Sequence, residues 1–340
     1  MKILFTLAIT GLCLFQAAAQ NAKVDSINQL ISKATTDTAR INLAVKKMQL
    51  LSNINLDSAI SVGEKTLAAA KKINYYRGII DVAQNLVGNY CFKGNYKAAD
   101  ENLEFLTQFI QPSKDSADIS KVYSNYGMMY GMQSKYDTSI QFYEKAIRIA
   151  ERNRDSSALK KNYRNIAIGY QQQSNFPPAI AYFHKSLAIA ERQNDEVNQA
   201  YIYLNMGNTY FNMYDTVRVG PSLLKAVALA KKNDLKNVEL YAYTNLSSFY
   251  VRRTEWIKAY DYAIKSAELG SAMGDQGIAA ASFSKAATAL ANTKKFKEAE
   301  ALDQRAISLA DSSGQPLNIY QAYGTMGVIL KMQEKYKEAI

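Results

Sequence analysis

Residues 121–150 read KVYSNYGMMY GMQSKYDTSI QFYEKAIRIA, and their spacing decides what kind of structure the chain adopts. Tyr123, Tyr126-Gly127 and Tyr130 fall at i, i+3, i+4 and i+7, which puts one apolar stripe along a first helix. Ile140, Tyr143, Ala146-Ile147 and Ala150 give a second helix its own stripe. Between them the polar Gln133-Ser134-Lys135 leaves room only for a tight connection. Two amphipathic helices joined this closely make a hairpin, and a lone hairpin hides only part of its apolar surface.

The same stretch recurs along the chain. Asn85, Asn125, Asn165, Asn205 and Asn245 stand forty residues apart, followed five residues on by Tyr90, Tyr130, Tyr170, Tyr210 and Tyr250, then Leu290 and Leu330. An aromatic register reads Tyr96, Tyr136, Phe176, Trp256, Phe296 and Tyr336. A small one reads Ala59, Ala99, Ser139, Ala179, Ala259, Ala299 and Ala339, and a basic one Lys65, Lys145, Lys185, Lys225, Lys265 and Arg305. Registers sharing one period describe stacked hairpins, each covering the apolar face its neighbour leaves bare. The small residue lets the two helices of a hairpin approach, while the aromatic beside it fills the hairpin's end. Polar turns such as Asn153-Arg154-Asp155 and Gln193-Asn194-Asp195 close the second helices, and Pro177-Pro178 falls at a helix start, where proline is tolerated. The fifth copy departs, because Tyr214 to Pro221 breaks the aromatic and small registers. Its second helix is expected to start late.

The order Tyr123-x-x-Tyr126-Gly127-x-x-Tyr130, Ser139, Tyr143, Ala146 resembles the tetratricopeptide repeat (TPR) family, over residues 40–340. The usual unit of that family has about 34 residues, so these repeats are a longer variant. The resemblance implies an all-α, TPR-type α-solenoid, a right-handed superhelix of helix-turn-helix repeats. It implies seven repeats plus an incomplete eighth at 40–340, after a capping segment at 20–39 in which Val24 to Ile31 forms a short helix. The last repeat ends about one turn into its second helix, leaving Tyr323, Met326 and Leu330 uncovered; a longer gene product or a second subunit is expected to cover them.

Lys2, the apolar run Ile3 to Phe15 and the small residues Ala17-Ala18-Ala19 have the layout of a secretory signal peptide cleaved near Ala19. The run is shorter than the roughly 20 residues that span a bilayer. Residues 1–19 are therefore expected to be removed, leaving an exported, periplasmic or extracytoplasmic chain. The net charge of +11 raises the question of nucleic acid. The basic residues are scattered, often near helix ends (Lys71-Lys72, Lys231-Lys232), where they complement the helix dipole, so no nucleic-acid partner is expected.

Catalysis needs convergent polar groups, and the sequence supplies few. His184 is the single histidine, and its register also holds Glu144, Leu224, Ile264 and Gln304, a mixture that belongs on a solvent-facing surface. Cys91 is the one cysteine outside the leader. One His and one Cys are too few for a nitrogen and sulfur metal site, and no phosphate loop, HExxH or nucleophile elbow is present. The carboxylates are expected in turns and on helix surfaces. The reading is no enzyme, no metal and no cofactor.

The asparagine register is the candidate site. In the TPR family the first helix of each repeat lines the concave groove, so the resemblance places Asn85, Asn125, Asn165, Asn205 and Asn245 along it as a ladder. An amide offers a donor and an acceptor, as a peptide unit does, so such a ladder can hold an extended backbone. The competing reading is that each Asn bonds the neighbouring repeat. On repeat three the groove face would hold Lys121, Ser124, Asn125, Met128 and Met132. Gln84, Arg164, Gln171, Tyr201, Asn208, Phe211, Tyr241 and Arg252 would set specificity for a peptide or protein partner. The layout of leader, Asp37-Thr38-Ala39-Arg40 and long repeats also resembles the extracytoplasmic region of Bacteroidetes sensor histidine kinases. That resemblance implies a membrane-linked output domain beyond the C-terminus.

Overall fold

The computed structural model of the chain describes residues 22–110, 116–335 and 338. The expected signal peptide at 1–19, with Cys13, and the register residues Tyr336 and Ala339 lie outside them. Among the described residues every regular element is a helix. A first helix α1 covers 22–33. It is followed by α2 (Asp37–Leu51), α3 (Leu56–Lys72), α4 (Tyr76–Phe92), α5 (Tyr96–Phe109), α6 (Ser116–Met132), α7 (Tyr136–Arg152), α8 (Ser156–Gln172) and α9 (Phe176–Arg192). Then come α10 (Glu196–Asn212), α11 (Val219–Lys232), α12 (Lys236–Arg252), α13 (Trp256–Met273), α14 (Gln276–Asn292), α15 (Phe296–Ser313) and α16 (Pro316–Met332).

The chain divides into two compact units, Met1–Ile189 and Ala190–Ile340. In the first, successive helices from α2 to α8 pack on one another, and α2, α4, α6 and α8 also touch in that order. In the second, α10 to α16 do the same, with α10, α12, α14 and α16 in contact in turn. Hairpins stacked in sequence order, with their first helices side by side, make each unit a TPR-type α-solenoid.

The turns explain how twenty residues return the chain to an equivalent place. From Asn74 to Glu334 every twentieth described residue has a positive φ, between 51° and 78°. Except after Gly314, the amide that follows bonds the carbonyl five residues back, as in Lys135 N to Tyr130 O (2.9 Å) and Asp155 N to Ala150 O (2.8 Å). This is the left-handed end that satisfies the carbonyls a helix leaves open. Entry to the first helices α8, α10 and α14 is capped by a side chain: Asp155, Asp195 and Asp275 each accept from the backbone amide three residues on, at 3.0 Å.

Packing follows the registers. Ala59, Ala99, Ala179, Ala259 and Ala299 are wholly buried, and Ser139 nearly so; its hydroxyl donates to Gly127 O across the hairpin at 2.6 Å. Opposite Gly127 lies the ring of Tyr143, so close that a Cβ there would stand 2.8 Å from it. The first unit's core is built from Met48, Ile80, Leu86, Leu103, Leu106 and Met129 among others. The second unit's core is richer in alanine, with Ala280, Ala287, Ala306, Ala310 and Ala322 around Phe283 and Leu290. The basic register lies over aromatic rings on the second helices: Lys145 over Phe142 (4.7 Å), Lys185 over Tyr182 (4.8 Å) and Lys265 over Tyr262 (5.1 Å). Each such contact adds roughly 0.5–1 kcal/mol at an exposed site. In the fifth copy the second helix α11 does start late, at Val219. Asp215 accepts from the amides of Val217 (3.2 Å) and Arg218 (3.1 Å), and that turn replaces the helix's first residues.

Candidate functional site

The five asparagines sit on first helices and all are half-buried, but they divide by what their amides do. Asn85 is engaged: its Nδ2 donates to Asp81 O (2.7 Å), and its Oδ1 accepts from Gln49 Nε2 on α2 (3.2 Å). Asn165 is engaged too. Burial drives the Tyr143 phenol above its ordinary pKa, and the hydrogen bond from Asn165 pulls it partly back, as does the charge of Arg164. The side-chain amides of Asn125, Asn205 and Asn245 make no hydrogen bond among the described residues. Two of the five amides are therefore engaged, and one in the first unit and two in the second are open.

In the second unit Tyr201 and Tyr241 are exposed one helical turn before Asn205 and Asn245. The next place in that register is Lys285, which sequence reasoning overlooked because the residue type changes there. It is half-buried; its Nζ donates to Ser248 Oγ on α12 (2.9 Å), and burial lowers its pKa. Asn208 is half-buried on α10. Phe211 is half-buried and Arg252 exposed, and the two are in contact. The Arg252 guanidinium lies 3.6 Å over the Phe211 ring centre and 4.8 Å over Tyr214, and it donates to Phe211 O at 2.9 Å, tying the end of α12 to that of α10.

In the first unit a cleft of about 390 Å³ opens among Met128, Met132, Tyr143, Asn165, Ile168 and Gln172. Arg164 and Gln171 are half-buried beside it in sequence. Lys161 is surface-accessible, and the partial loss of water around its amine, with the charges of Arg164 and Lys121, lowers its pKa. Ser124, expected on the groove face, is buried instead: its hydroxyl donates to Asn162 Oδ1 (2.8 Å) between α6 and α8. Gln84 Nε2 is enclosed without a partner.

The expectation that carboxylates keep to turns and surfaces fails at three places. Asp118 is buried and held by Arg77 (2.8 Å) and Lys121 (3.0 Å). Glu239 is buried and accepts from the Tyr243 hydroxyl (3.0 Å), with Lys236 at 3.5 Å. Asp303 is wholly buried, accepts from Ser284 Oγ (2.8 Å), and has an unpartnered Oδ2; burial pushes its pKa up to about 6. The first two are affordable because a cation or hydroxyl from another turn replaces water. His184 is exposed. Cys91 is buried, which pushes its thiol up to about 11 and removes it from nucleophilic work at neutral pH. Among the described residues no group of three or more His, Cys, Asp or Glu is placed to hold a metal ion.

No protein-family model and no curated protein matches the chain. Solved structures do. A signal transduction ATPase with numerous domains, carrying a tetratricopeptide repeat sensor, from Pyrococcus horikoshii is 17% identical with a TM-score of 0.71. That match covers 94% of this chain and 52% of the other, so the chain spans about half the length of that protein. The apo form of RapI is 10% identical with a TM-score of 0.70, over 88% of this chain and 85% of that one. A Rap protein complexed with Competence and Sporulation Factor is 12% identical with a TM-score of 0.55, over 88% and 94%. At such identities the likeness is one of fold, and that fold is a TPR-type helical repeat.

Proposed function

We propose that the chain is an exported scaffold that binds an extended peptide or a protein segment along its first helices, without catalysis in these residues. The observation that carries the reading is the pair of uncommitted amides of Asn205 and Asn245 in the second unit, each one turn from an exposed tyrosine. A half-buried amide with free donor and acceptor is matched by a peptide unit, and a flat aromatic face suits the side chain beside it. The Rap protein solved with Competence and Sporulation Factor supports the reading, because it is a protein of this fold with a bound factor.

The test is selection of a random-peptide library on the full chain, followed by titration of the selected peptides against Asn205→Ala/Asn245→Ala. Each lost hydrogen bond is worth about 0.5–1.5 kcal/mol, so the double variant should bind roughly fivefold or more weakly with an unchanged Tm. Peptides that bind wild type and variant alike would remove the proposed role of the amides. Export is proposed on the pattern around Lys2, Ile3 to Phe15 and Ala17-Ala18-Ala19; mature protein whose first residue is not near Gln20 counts against it.

A second reading makes the array the sensory part of a membrane histidine kinase or transcription regulator. It is supported by the match to about half of a signalling ATPase whose description includes a TPR sensor. An immunoblot of the native host showing one species no larger than 37.9 kDa would exclude it.

A further inference from the structure

The register 57, 97, 137 and 177 lies at the turn edge of the first unit, where Asp57 pairs with Lys93 and Asp137 Oδ1 accepts from Gln173 Nε2 at 2.7 Å, while Lys97 and Pro177 hold its other places. In two consecutive copies of the second unit this register holds Val217 and Ile257, which accept nothing and stand 79% and 75% exposed. Their turns are adjacent, because Arg252 at one lies over the ring of Tyr214 at the other, and Tyr214 is itself 75% exposed. Beside Ile257 an apolar cleft of about 250 Å³ is lined by Trp256, Tyr260, Ala289 and Leu290. Isolated exposed aliphatics need no explanation, whereas a contiguous run at the tips of neighbouring turns does.

The charges around this run are one-sided. Glu255 is already occupied by Arg253 (2.5 Å) and Lys258 (2.7 Å), and Asp215 by Arg218 (2.5 Å). On the following turn Lys294, Lys295 and Lys297 are exposed, with no carboxylate in ion-pair reach among the described residues and Glu298 as their acidic neighbour. Aliphatic tips, a tryptophan at their base and unpaired lysines at their flank form the combination that partitions to the boundary of a negatively charged bilayer.

We propose that this edge docks the second unit on an anionic lipid surface, with Val217 and Ile257 entering the headgroup region and Lys294, Lys295 and Lys297 facing the lipid charges. No helix among the described residues is long and apolar enough to cross a membrane, so the contact is peripheral. It is independent of the peptide reading, which uses the first-helix face.

Trp256 is the chain's single tryptophan and reports directly on the edge. The full chain is mixed with vesicles of phosphatidylcholine alone or of phosphatidylcholine and phosphatidylglycerol in equal amounts, and both co-sedimentation and Trp256 emission are read. Binding should require phosphatidylglycerol, move the emission to shorter wavelength and weaken with salt. Lys294→Gln/Lys295→Gln/Lys297→Gln should lower partitioning on the order of 100-fold, at about tenfold or less per lysine. Val217→Ser/Ile257→Ser should lower it roughly tenfold or more while the far-UV circular dichroism stays unchanged. No sedimentation with anionic vesicles, or equal sedimentation of both variants and wild type, overturns the proposal. So does an emission change with poly-glutamate and none with vesicles, which would make the edge a protein-docking surface.

Discussion

Ser284 on α14 and Asp303 on α15 share a 2.8 Å hydrogen bond in which Ser284 Oγ donates to Asp303 Oδ1, while Asp303 Oδ2 is buried with no partner. Burial favours the neutral carboxyl and raises its folded pKa to about 6 against 3.8 for the free side chain. A raised acid pKa stabilises the fold fully below the unfolded value, and that contribution is lost as pH rises through the folded value. Between pH 3.8 and 6 Asp303 should therefore withdraw about 3 kcal/mol of stability, at roughly 1.4 kcal/mol per pH unit of displacement. Asp303→Asn should flatten this dependence. Thermal unfolding at pH 4.5 and pH 8 should show a smaller loss of Tm between the two in the variant, and an identical loss would mean that the carboxylate reaches water.

Gly88 and Gly127 lie on neighbouring first helices, α4 and α6, yet a methyl group meets different things at each. At Gly88 an added Cβ has nothing within 4 Å, whereas at Gly127 it would meet the Tyr143 ring at 2.8 Å. Gly88→Ala should stabilise by about 0.5–1 kcal/mol through helix propensity alone. Gly127→Ala gains the same propensity but must displace a buried ring, at roughly 1–3 kcal/mol, so it should destabilise. Chemical denaturation of the two variants should give opposite signs. Equal signs would show that Tyr143 moves aside freely.

The contrast shows what a sequence read as registers conveys. Periodicity reveals which residues share a face, so the helices, the buried alanines at 59, 99, 179, 259 and 299 and the late start of α11 were legible. It does not reveal partners. Asn85 and Asn125 are the same residue at the same register, yet Asn85 bonds both Gln49 on α2 and the Asp81 carbonyl of its own helix while Asn125 bonds neither neighbour nor helix. Asp118 looks like any surface acid until Arg77, forty-one residues earlier, is found against it. Lys285 was hidden by looking for one residue type, although its offset from Asn245 placed it in the register. Backbone strain was hidden as well: glycine marks the left-handed turns at Gly94, Gly274 and Gly314 and asparagine those at Asn74 and Asn194, but Ser134, Tyr214 and Thr254 give no such sign.

The engaged and open asparagines separate stability from binding. Asn85→Ala removes two hydrogen bonds, one of them between α2 and α4, and should cost about 1–2 kcal/mol. Asn125→Ala removes none and should leave stability within about 0.5 kcal/mol. Denaturant midpoints measured side by side decide the point. A loss at Asn125 as large as at Asn85 would mean that this amide has a structural partner in solution.

Thr254 has a φ of 56° in the turn between α12 and α13, a conformation that costs a β-branched residue more than any other kind. Glycine occupies the same turn position at Gly94, Gly274 and Gly314 without that penalty. What Thr254 gains in return is slight: its hydroxyl donates to Arg253 O at 2.6 Å on an exposed surface. Relief of the strain, about 1–3 kcal/mol, exceeds both that hydrogen bond and the extra freedom glycine gives the unfolded chain. Thr254→Gly should therefore raise stability by about 1 kcal/mol, and the gain should be larger than for Asn74→Gly, because asparagine tolerates the left-handed region. If thermal unfolding ranks the two the other way, the turn at Thr254 is held by contacts stronger than its single hydrogen bond.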